Sequence, residues 1–325
     1  MQNAVVNPRH TWLGLRYLSS WKEEEEQRRM ESSEASRLPF PPQRQETRPG
    51  KEHAMGPIPQ AINPDYKPSS KLSGKVALVT GGDSGIGRAL CVCFACKGAS
   101  VAFTYVKGQK EKDSNDTLRM LMHAKLENAD NPITIAAVLG CDQSCRKVVD
   151  EVVNRFGRID ILVNNAAEQH LTKTVEDITE ERLERTFKTN IFSHFFMSRH
   201  AIKHMREGGC IINSASVAAY SSDLGPLDYS DSKGAIMAFT RALVLQLVEK
   251  GIWVNGVAPG YVWTPLPAAS LGEGMASSFG SNVPMKRAAQ PYEIAPSYVF
   301  LACNRCSSYY TGRFLHPNGG IIVDT

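Results

Sequence analysis

The chain predicts an α/β fold: a doubly wound, seven-stranded parallel sheet with helices on both faces, preceded by an extended N-terminal segment. Three observations predict it. Seven short apolar runs recur between residues 76 and 316 with helical stretches between them, the rhythm of parallel βαβ units with right-handed crossovers. The central runs are nearly continuous in valine, isoleucine and leucine, as strands covered on both faces should be. Residues with chemical character gather at or just after the ends of these runs, where open α/β sheets bind ligands.

Strands are expected at 76–80, 100–105, 133–139, 159–164, 210–214, 253–258 and 314–316, with helices at 86–97, 146–156, 180–204, 230–250 and 291–303. The first run, Lys75-Val-Ala-Leu-Val-Thr80, leads directly into Gly81-Gly-Asp-Ser-Gly85-Ile-Gly87 and an apolar helical stretch that ends at Gly98. Strand, glycine-rich turn and helix together aim backbone N–H groups and a helix amino end at a pyrophosphate. Gly81 permits the tight turn, Gly85 lets the backbone approach the phosphates, and Gly87 lets the helix pack close to the sheet. The spacing is G-x-x-x-G-x-G rather than G-x-G-x-x-G, and no Gly-Lys-Ser/Thr follows, which excludes a P-loop.

A second constellation lies further on. Tyr229 and Lys233 are four apart and share a helix face. The Lys233 ammonium is expected to pull the phenol below its usual pKa of about 10. Such a phenol gives a proton to a carbonyl oxygen or takes one from an alcohol. Ser216, thirteen residues before Tyr229 and at the end of the run 210–216, is placed to hold the same oxygen. An exposed helix face is the plain alternative for Tyr-x-x-x-Lys taken alone.

Thr80-Gly-Gly-Asp-Ser-Gly-Ile-Gly87, Asn164-Asn-Ala-Ala167, Asn190, Ser216, Tyr229, Lys233 and Pro259-Gly-Tyr-Val-Trp-Thr264 resemble the successive motifs of the short-chain dehydrogenase/reductases, in order and spacing, over about residues 72–325. The lead-in 43–53, Asp65-Tyr-Lys-Pro68, Val106-Lys-Gly108 and His316-Pro-Asn-Gly-Gly320 resemble a plant branch called glucose and ribitol dehydrogenase homologs, some described as NADPH-dependent aldehyde reductases. The resemblance implies a Rossmann-type domain and catalytic roles for Ser216, Tyr229, Lys233 and Asn190, the last holding a water that links Lys233 to solvent. It implies a dinucleotide held by Gly81, Ser84, Gly85, Ile86, Gly87, Tyr105, Lys107, Asp142, Asn164, Ala166, Tyr229, Lys233, Pro259, Gly260, Val262 and Thr264. Asp142 would contact the adenine ring, or else cap a helix. Ala167 stands where the family usually has glycine.

Enzymes for NAD usually place an acid at the end of the second strand. Here Tyr105-Val-Lys107-Gly-Gln-Lys110 stands there, so Lys107 favours NADP(H) over NAD(H), although Ser84 takes a position often basic in NADP-preferring relatives. The expected reaction is NADPH-dependent reduction of small aldehydes and other carbonyls to alcohols. A sugar or polyol dehydrogenase is the alternative, and a non-catalytic dinucleotide-binding protein the alternative of another class. Tyr220, Leu227, Trp263 and Leu266 are candidate substrate-wall residues, within segments 217–228 and 264–290.

The 325 residues carry a net charge of +4 without a basic stripe, which excludes a nucleic-acid partner; no apolar run reaches membrane-spanning length. Cys303-x-x-Cys306 lacks a second limb, so no metal is expected, and the eight cysteines with no signal peptide indicate a reducing compartment. Residues 1–70 are expected as a poorly ordered, proline-rich and polar extension, packing near Tyr66, and 71–325 as one domain. The stretch 2–21 lacks acids and carries Arg9 and Arg16, so a chloroplast transit peptide is the alternative to a cytoplasmic protein; Glu23 to Glu26 break that pattern, and Met30 is an alternative start. A homo-oligomer, dimer or tetramer, is implied through the long helices carrying Asn190 and Tyr229.

Overall fold

The computed structural model describes residues 40–323 except 42, 46, 173, 222–225 and 271–277. Seven strands, β1 (Val76–Val79), β2 (Ser100–Tyr105), β3 (Ile133–Ala136), β4 (Ile161–Asn164), β5 (Cys210–Ser214), β6 (Trp253–Val257) and β7 (Phe314–Leu315), form one sheet in the order β3-β2-β1-β4-β5-β6-β7. Every neighbouring pair is parallel. Alternation along β1 divides the core: Ala77 and Val79 face one apolar cluster, Val76 and Leu78 the other. The first cluster is covered by α1 (Gly85–Cys96) and α8 (Pro291–Ala302). The second is covered by α3 (Asp142–Phe156), α5 (Ser193–Ala201) and α6 (Leu227–Leu247). From β1 the chain winds outward to β3, then returns to β4 on the other side. A crevice therefore opens at the carboxyl ends of β1 and β4.

The sequence reading differs from the structure at a few edges, each for a physical reason. β3 stops at Ala136 because its partner β2 ends opposite, at Tyr105, and Val138 is already in solvent. Asp160 stands before β4 as a cap, its carboxylate accepting the Val76 N–H at 2.8 Å. The helix expected over 180–204 is interrupted: α4 (Glu180–Phe187) passes through a π-helical turn at Lys188–Phe192 into α5. Helix α2 (Glu111–Ala124) has no apolar stripe in its first turns, Glu111-Lys-Asp-Ser-Asn-Asp, and what it buries there is Asp113 and Ser114.

Residues 47–70, the later part of the extension, run along the domain, with Met55 and Ala61 buried and a short 3-10 turn at Glu52–Ala54. Tyr66 packs on the first core cluster, with the Lys97 ammonium 3.7 Å from its ring centre. Residues 1–39 lie outside the described residues. No helix among the described residues is long and apolar enough to cross a membrane, and no group of His, Cys, Asp or Glu among them is arranged to hold a metal.

Candidate active site

Thr80, the residue after β1, locks the two sides of the crevice together. Its N–H donates to Val163 O at 3.0 Å, and its Oγ1 accepts the N–H groups of Asn165 (2.8 Å) and Ala166 (3.0 Å). The Asn165 side chain returns a bond to Thr80 O at 3.0 Å. The glycine-rich turn then has no room for side chains. Gly85 sits in the left-handed region, φ 54°, and a Cβ there would stand 3.0 Å from Thr264 Cγ2. A Cβ at Gly87 would stand 2.0 Å from Gly81 O. The result is a bare backbone cradle at the amino end of α1, between Ala166 and Thr264, which fits the pyrophosphate of a dinucleotide.

The remaining residues expected around that group are placed as follows. Ile86 is half-buried in the first turn of α1. Ser84 precedes α1, and its hydroxyl donates to Asp83 Oδ2 at 3.0 Å. Tyr105 ends β2 half-buried, and Lys107 follows it in solvent. Asp142 is the first residue of α3 rather than its cap, and pairs with His200 (2.8 Å) and Arg199. The hydrogen bond from His200 and the Arg199 guanidinium hold its carboxyl below the ordinary range. Asn164 turns its amide away from the cradle, donating to Asn213 Oδ1 at 2.9 Å. Pro259, Gly260, Val262 and Thr264 form the loop after β6, fastened by a bridge from Val262 to Ala289.

The proton-handling set assembles at the carboxyl end of β5. Ser216 caps a 3-10 turn, its Oγ accepting Ala218 N–H at 3.1 Å, and is hydrogen-bonded to the Tyr229 hydroxyl. Tyr229 and Lys233 lie on one face of α6, both buried, with Lys233 Nζ 5.4 Å from the Tyr229 ring centre. The expected depression of the phenol is not what the structure produces. Burial pushes Tyr229 up to about 12, against the Ser216 hydrogen bond, while burial brings Lys233 down to about 7. The Lys233 ammonium does not offset that burial, because it donates to Ser214 O at 2.8 Å. At neutral pH the Tyr229 phenol is therefore protonated.

Asn190 sits within the π-helical turn, fully buried. Its Oδ1 accepts Glu168 N–H at 2.8 Å, and its Nδ2 donates to Glu168 O at 2.9 Å and to Ser232 Oγ at 3.0 Å. Ser232 in turn donates to Tyr229 O at 2.7 Å, so Asn190 ties the loop after β4 to the backbone of α6. Of the expected wall residues, Trp263 is buried, its indole N–H donating to Pro57 O at 2.9 Å. The Tyr220 hydroxyl is bonded to His316 Nε2 at 2.8 Å. Of the segment 264–290 expected to wall the site, residues 271–277 lie outside the described residues; Gly280 is described, with φ 85°.

Sequence reasoning missed a buried ionic cluster beside the cradle. The Glu52 carboxylate accepts the Gly85 N–H and pairs with Arg88. Arg88 also donates to Asp83 O (2.7 Å) and Asp113 O (3.0 Å), and Lys110 Nζ bridges Asp83 (3.0 Å) and Asp113 (3.1 Å). Burial pushes Glu52 up to about 7, with Arg88 opposing it. Burial also raises Asp113, but Lys110 and hydrogen bonds from His53 outweigh it and bring the carboxyl down to about 2. No local pattern signals Glu52, because its partners lie 33 and 36 residues downstream.

Known proteins resemble the chain in sequence and in fold. A family model described as enoyl-(acyl carrier protein) reductase matches residues 81–322. The chain is 63% identical over 282 residues to "NADPH-dependent aldehyde reductase 1, chloroplastic" of Arabidopsis thaliana, covering 87% of this chain and 98% of that one. It is 65% identical over 286 residues to "Glucose and ribitol dehydrogenase" of Daucus carota, covering 88% and 98%. Among solved structures, a blue fluorescent protein from a metagenomic library in complex with NADPH superposes with a TM-score of 0.70 at 30% identity, covering 77% of this chain and 98% of that one.

Proposed function

The chain belongs to the short-chain dehydrogenase/reductase family of oxidoreductases, and from that premise we propose that it reduces small aldehydes to alcohols with NADPH. The observation that carries this reading is the Ser216–Tyr229–Lys233 set at the carboxyl end of β5, with Tyr229 and Lys233 buried and Ser216 half-buried. Bound NADPH supplies the hydride. The chain supplies the rest. Gly81, Gly85 and Gly87 admit the pyrophosphate, aided by the Pro259–Thr264 loop. The Ser216 hydroxyl donates a hydrogen bond to the carbonyl oxygen as negative charge grows on it, and Tyr229 delivers the proton. A phenol held up to about 12 by burial enters that step protonated, whereas oxidation of an alcohol would require it to start as phenolate. Lys233, brought down to about 7, exchanges protons at neutral pH beside it. Asn190 acts as a positioning residue through Glu168 and Ser232.

NADP(H) over NAD(H) is supported by the absence of an acid at the end of β2 and by exposed Lys107 there. The name of the Arabidopsis relative and the NADPH complex of the metagenomic protein point the same way. A polyol dehydrogenase is the second reading, favoured by the name of the carrot relative. We place the protein in the cytoplasm, with the chloroplast as the alternative raised by the Arabidopsis relative. Phe192 and Phe195, partly exposed along the π turn and α5, are the apolar surface through which a homo-oligomer would form. NADPH consumption measured across aldehydes, ketones, glucose and ribitol tests the reading. Saturation with aldehydes at micromolar to millimolar KM supports it. Turnover confined to ribitol or glucose with NADP would replace it with the second.

A further inference from the structure

We propose that the segment from Gln45 to Gln60 is a working part of the dinucleotide site, and that Glu52 is its positioning residue: it ties the glycine-rich turn to the loop and helix that follow β6. The inference rests on the cofactor reading above, and goes beyond it by assigning a function to chain outside the α/β domain.

The segment first stabilises its own shape. Gln45 closes it into a loop, its side chain accepting Lys51 N–H at 2.6 Å and donating to Lys51 O at 2.9 Å. It then grips α7 (Pro265–Ser270), the helix directly after the Pro259–Thr264 loop. The Gln45 N–H donates to Ala268 O at 3.2 Å and Arg48 Nε to Ala269 O at 3.1 Å. Gly50 lies so close beneath this helix that a Cβ there would stand 2.4 Å from Pro265 O. Further on, Pro57 O receives the Trp263 indole N–H, and Gln60 N–H donates to Gln290 Oε1 at 2.9 Å at the start of α8. Between these grips, Glu52 reaches inward. Its backbone N–H and that of His53 are held by Asp113 at 2.9 and 3.0 Å, and its carboxylate takes the Gly85 N–H and Arg88.

Gly85 is the residue of the turn with the left-handed backbone, and its Cα side faces Thr264. One carboxylate thus fixes the turn from outside, while the same chain segment fixes the opposing loop. Two walls of the crevice, distant in sequence, are held in register by a third element. An unligated glycine turn samples many backbone states, and ordering it on binding weakens affinity. A buried carboxyl acceptor on the Gly85 N–H, itself held by Arg88, lowers that cost beforehand.

The test uses the full-length protein and two readouts. The first is NADPH affinity by fluorescence titration, together with steady-state kinetics. Glu52→Ala is expected to weaken NADPH binding by about tenfold or more and to raise KM for NADPH further than it lowers kcat. Glu52→Gln, whose amide oxygen can still accept the Gly85 N–H, is expected to recover part of the loss. The second is hydrogen exchange with and without NADPH. In the wild type NADPH is expected to protect the turn 81–88, α7 and residues 45–60 together. In Glu52→Ala the protection gained in α7 and in 45–60 is expected to drop, while that in the turn persists at saturating NADPH. Should Glu52→Ala fail to fold, Gln45→Ala, which loosens the segment outside the ionic cluster, is expected to show the same loss of shared protection with a smaller affinity change. An unaltered NADPH affinity in folded Glu52→Ala overturns the proposal, as does an equal loss of protection with and without NADPH, the mark of a purely structural brace. A wild type that takes up no NADPH defeats the cofactor reading itself, which is a different result.

Discussion

Lys233 is charged in water but wholly buried in the fold, and this makes a prediction with an uncommon sign. Burial lowers its pKa from 10.5 to about 7. At about 1.4 kcal/mol per pH unit, keeping the ammonium charged inside the fold costs of order 3–5 kcal/mol below neutral pH. Lys233→Met removes that cost. It also leaves Ser214 O without its 2.8 Å donor, which costs about 1–2 kcal/mol. The net expectation at pH 6 is a stabilised protein, by about 2–3 kcal/mol, with turnover abolished. Between pH 7 and 10.5 the unfolded chain binds a proton at this lysine that the folded chain does not, so wild-type stability rises with pH through that window. The methionine variant lacks this rise. Denaturant midpoints for both proteins at pH 6 and pH 9.5, without NADPH, check it: the gap should be largest at pH 6 and narrow as pH rises. His194, held at about 3 by burial and by Lys233, stays neutral throughout and does not confuse the comparison. A variant less stable than wild type at pH 6, or a gap independent of pH, would refute the argument that burial governs Lys233.

Tyr229→Phe removes the proton donor while keeping the ring, so kcat should fall by about two to four orders of magnitude with NADPH affinity changed less than about threefold; titration and stopped-flow turnover measure both. Gly87→Ala places a Cβ 2.0 Å from Gly81 O, where backbone and not a flexible side chain must move, and should abolish NADPH binding and lower the melting temperature by several degrees in a thermal scan. Lys107→Glu, at an exposed position after β2, should lower the NADP/NAD ratio of kcat/KM by about tenfold, and an unchanged ratio would remove Lys107 from cofactor selection.

How much of this was legible beforehand depended on the range over which each feature is encoded. The sheet was readable because β1, β2, β4, β5 and β6 are each buried nearly end to end, so each declares itself within four to six residues. The glycine cradle was readable because steric exclusion at Gly87 is caused by Gly81, six residues away. Tyr229 and Lys233 were readable as a pair, but their charge states were not. The acceptor for the lysine proved to be a strand carbonyl, Ser214 O, supplied by a different element, and the burial of both groups is a product of tertiary packing rather than of their spacing. Asn190 was legible only by resemblance, since its three partners come from the loop after β4 and from α6.

The N-terminal segment shows the same limit of range. Its composition is that of chain unable to form a core of its own, and Met55 and Ala61 are the hydrophobic side chains that the described residues 47–70 bury. What composition does not encode is docking onto a core that already exists. There the enthalpic anchor is polar. Glu52 alone would be a poor resident of an interior, and Asp113 and Asp83 would make it worse. Arg88 and Lys110, with the Gly85 N–H, offset three buried carboxylates. Each member of that cluster, read singly, looks like a solvated side chain on α1, α2 or a connecting segment. Only when α1 and α2 pack side by side do their polar edges form a socket, and only the segment supplies the group that completes it. Polar residues with no helical stripe, as at the start of α2, are thus a weak signal of disorder when an acidic segment elsewhere in the chain can pair with basic residues beside them.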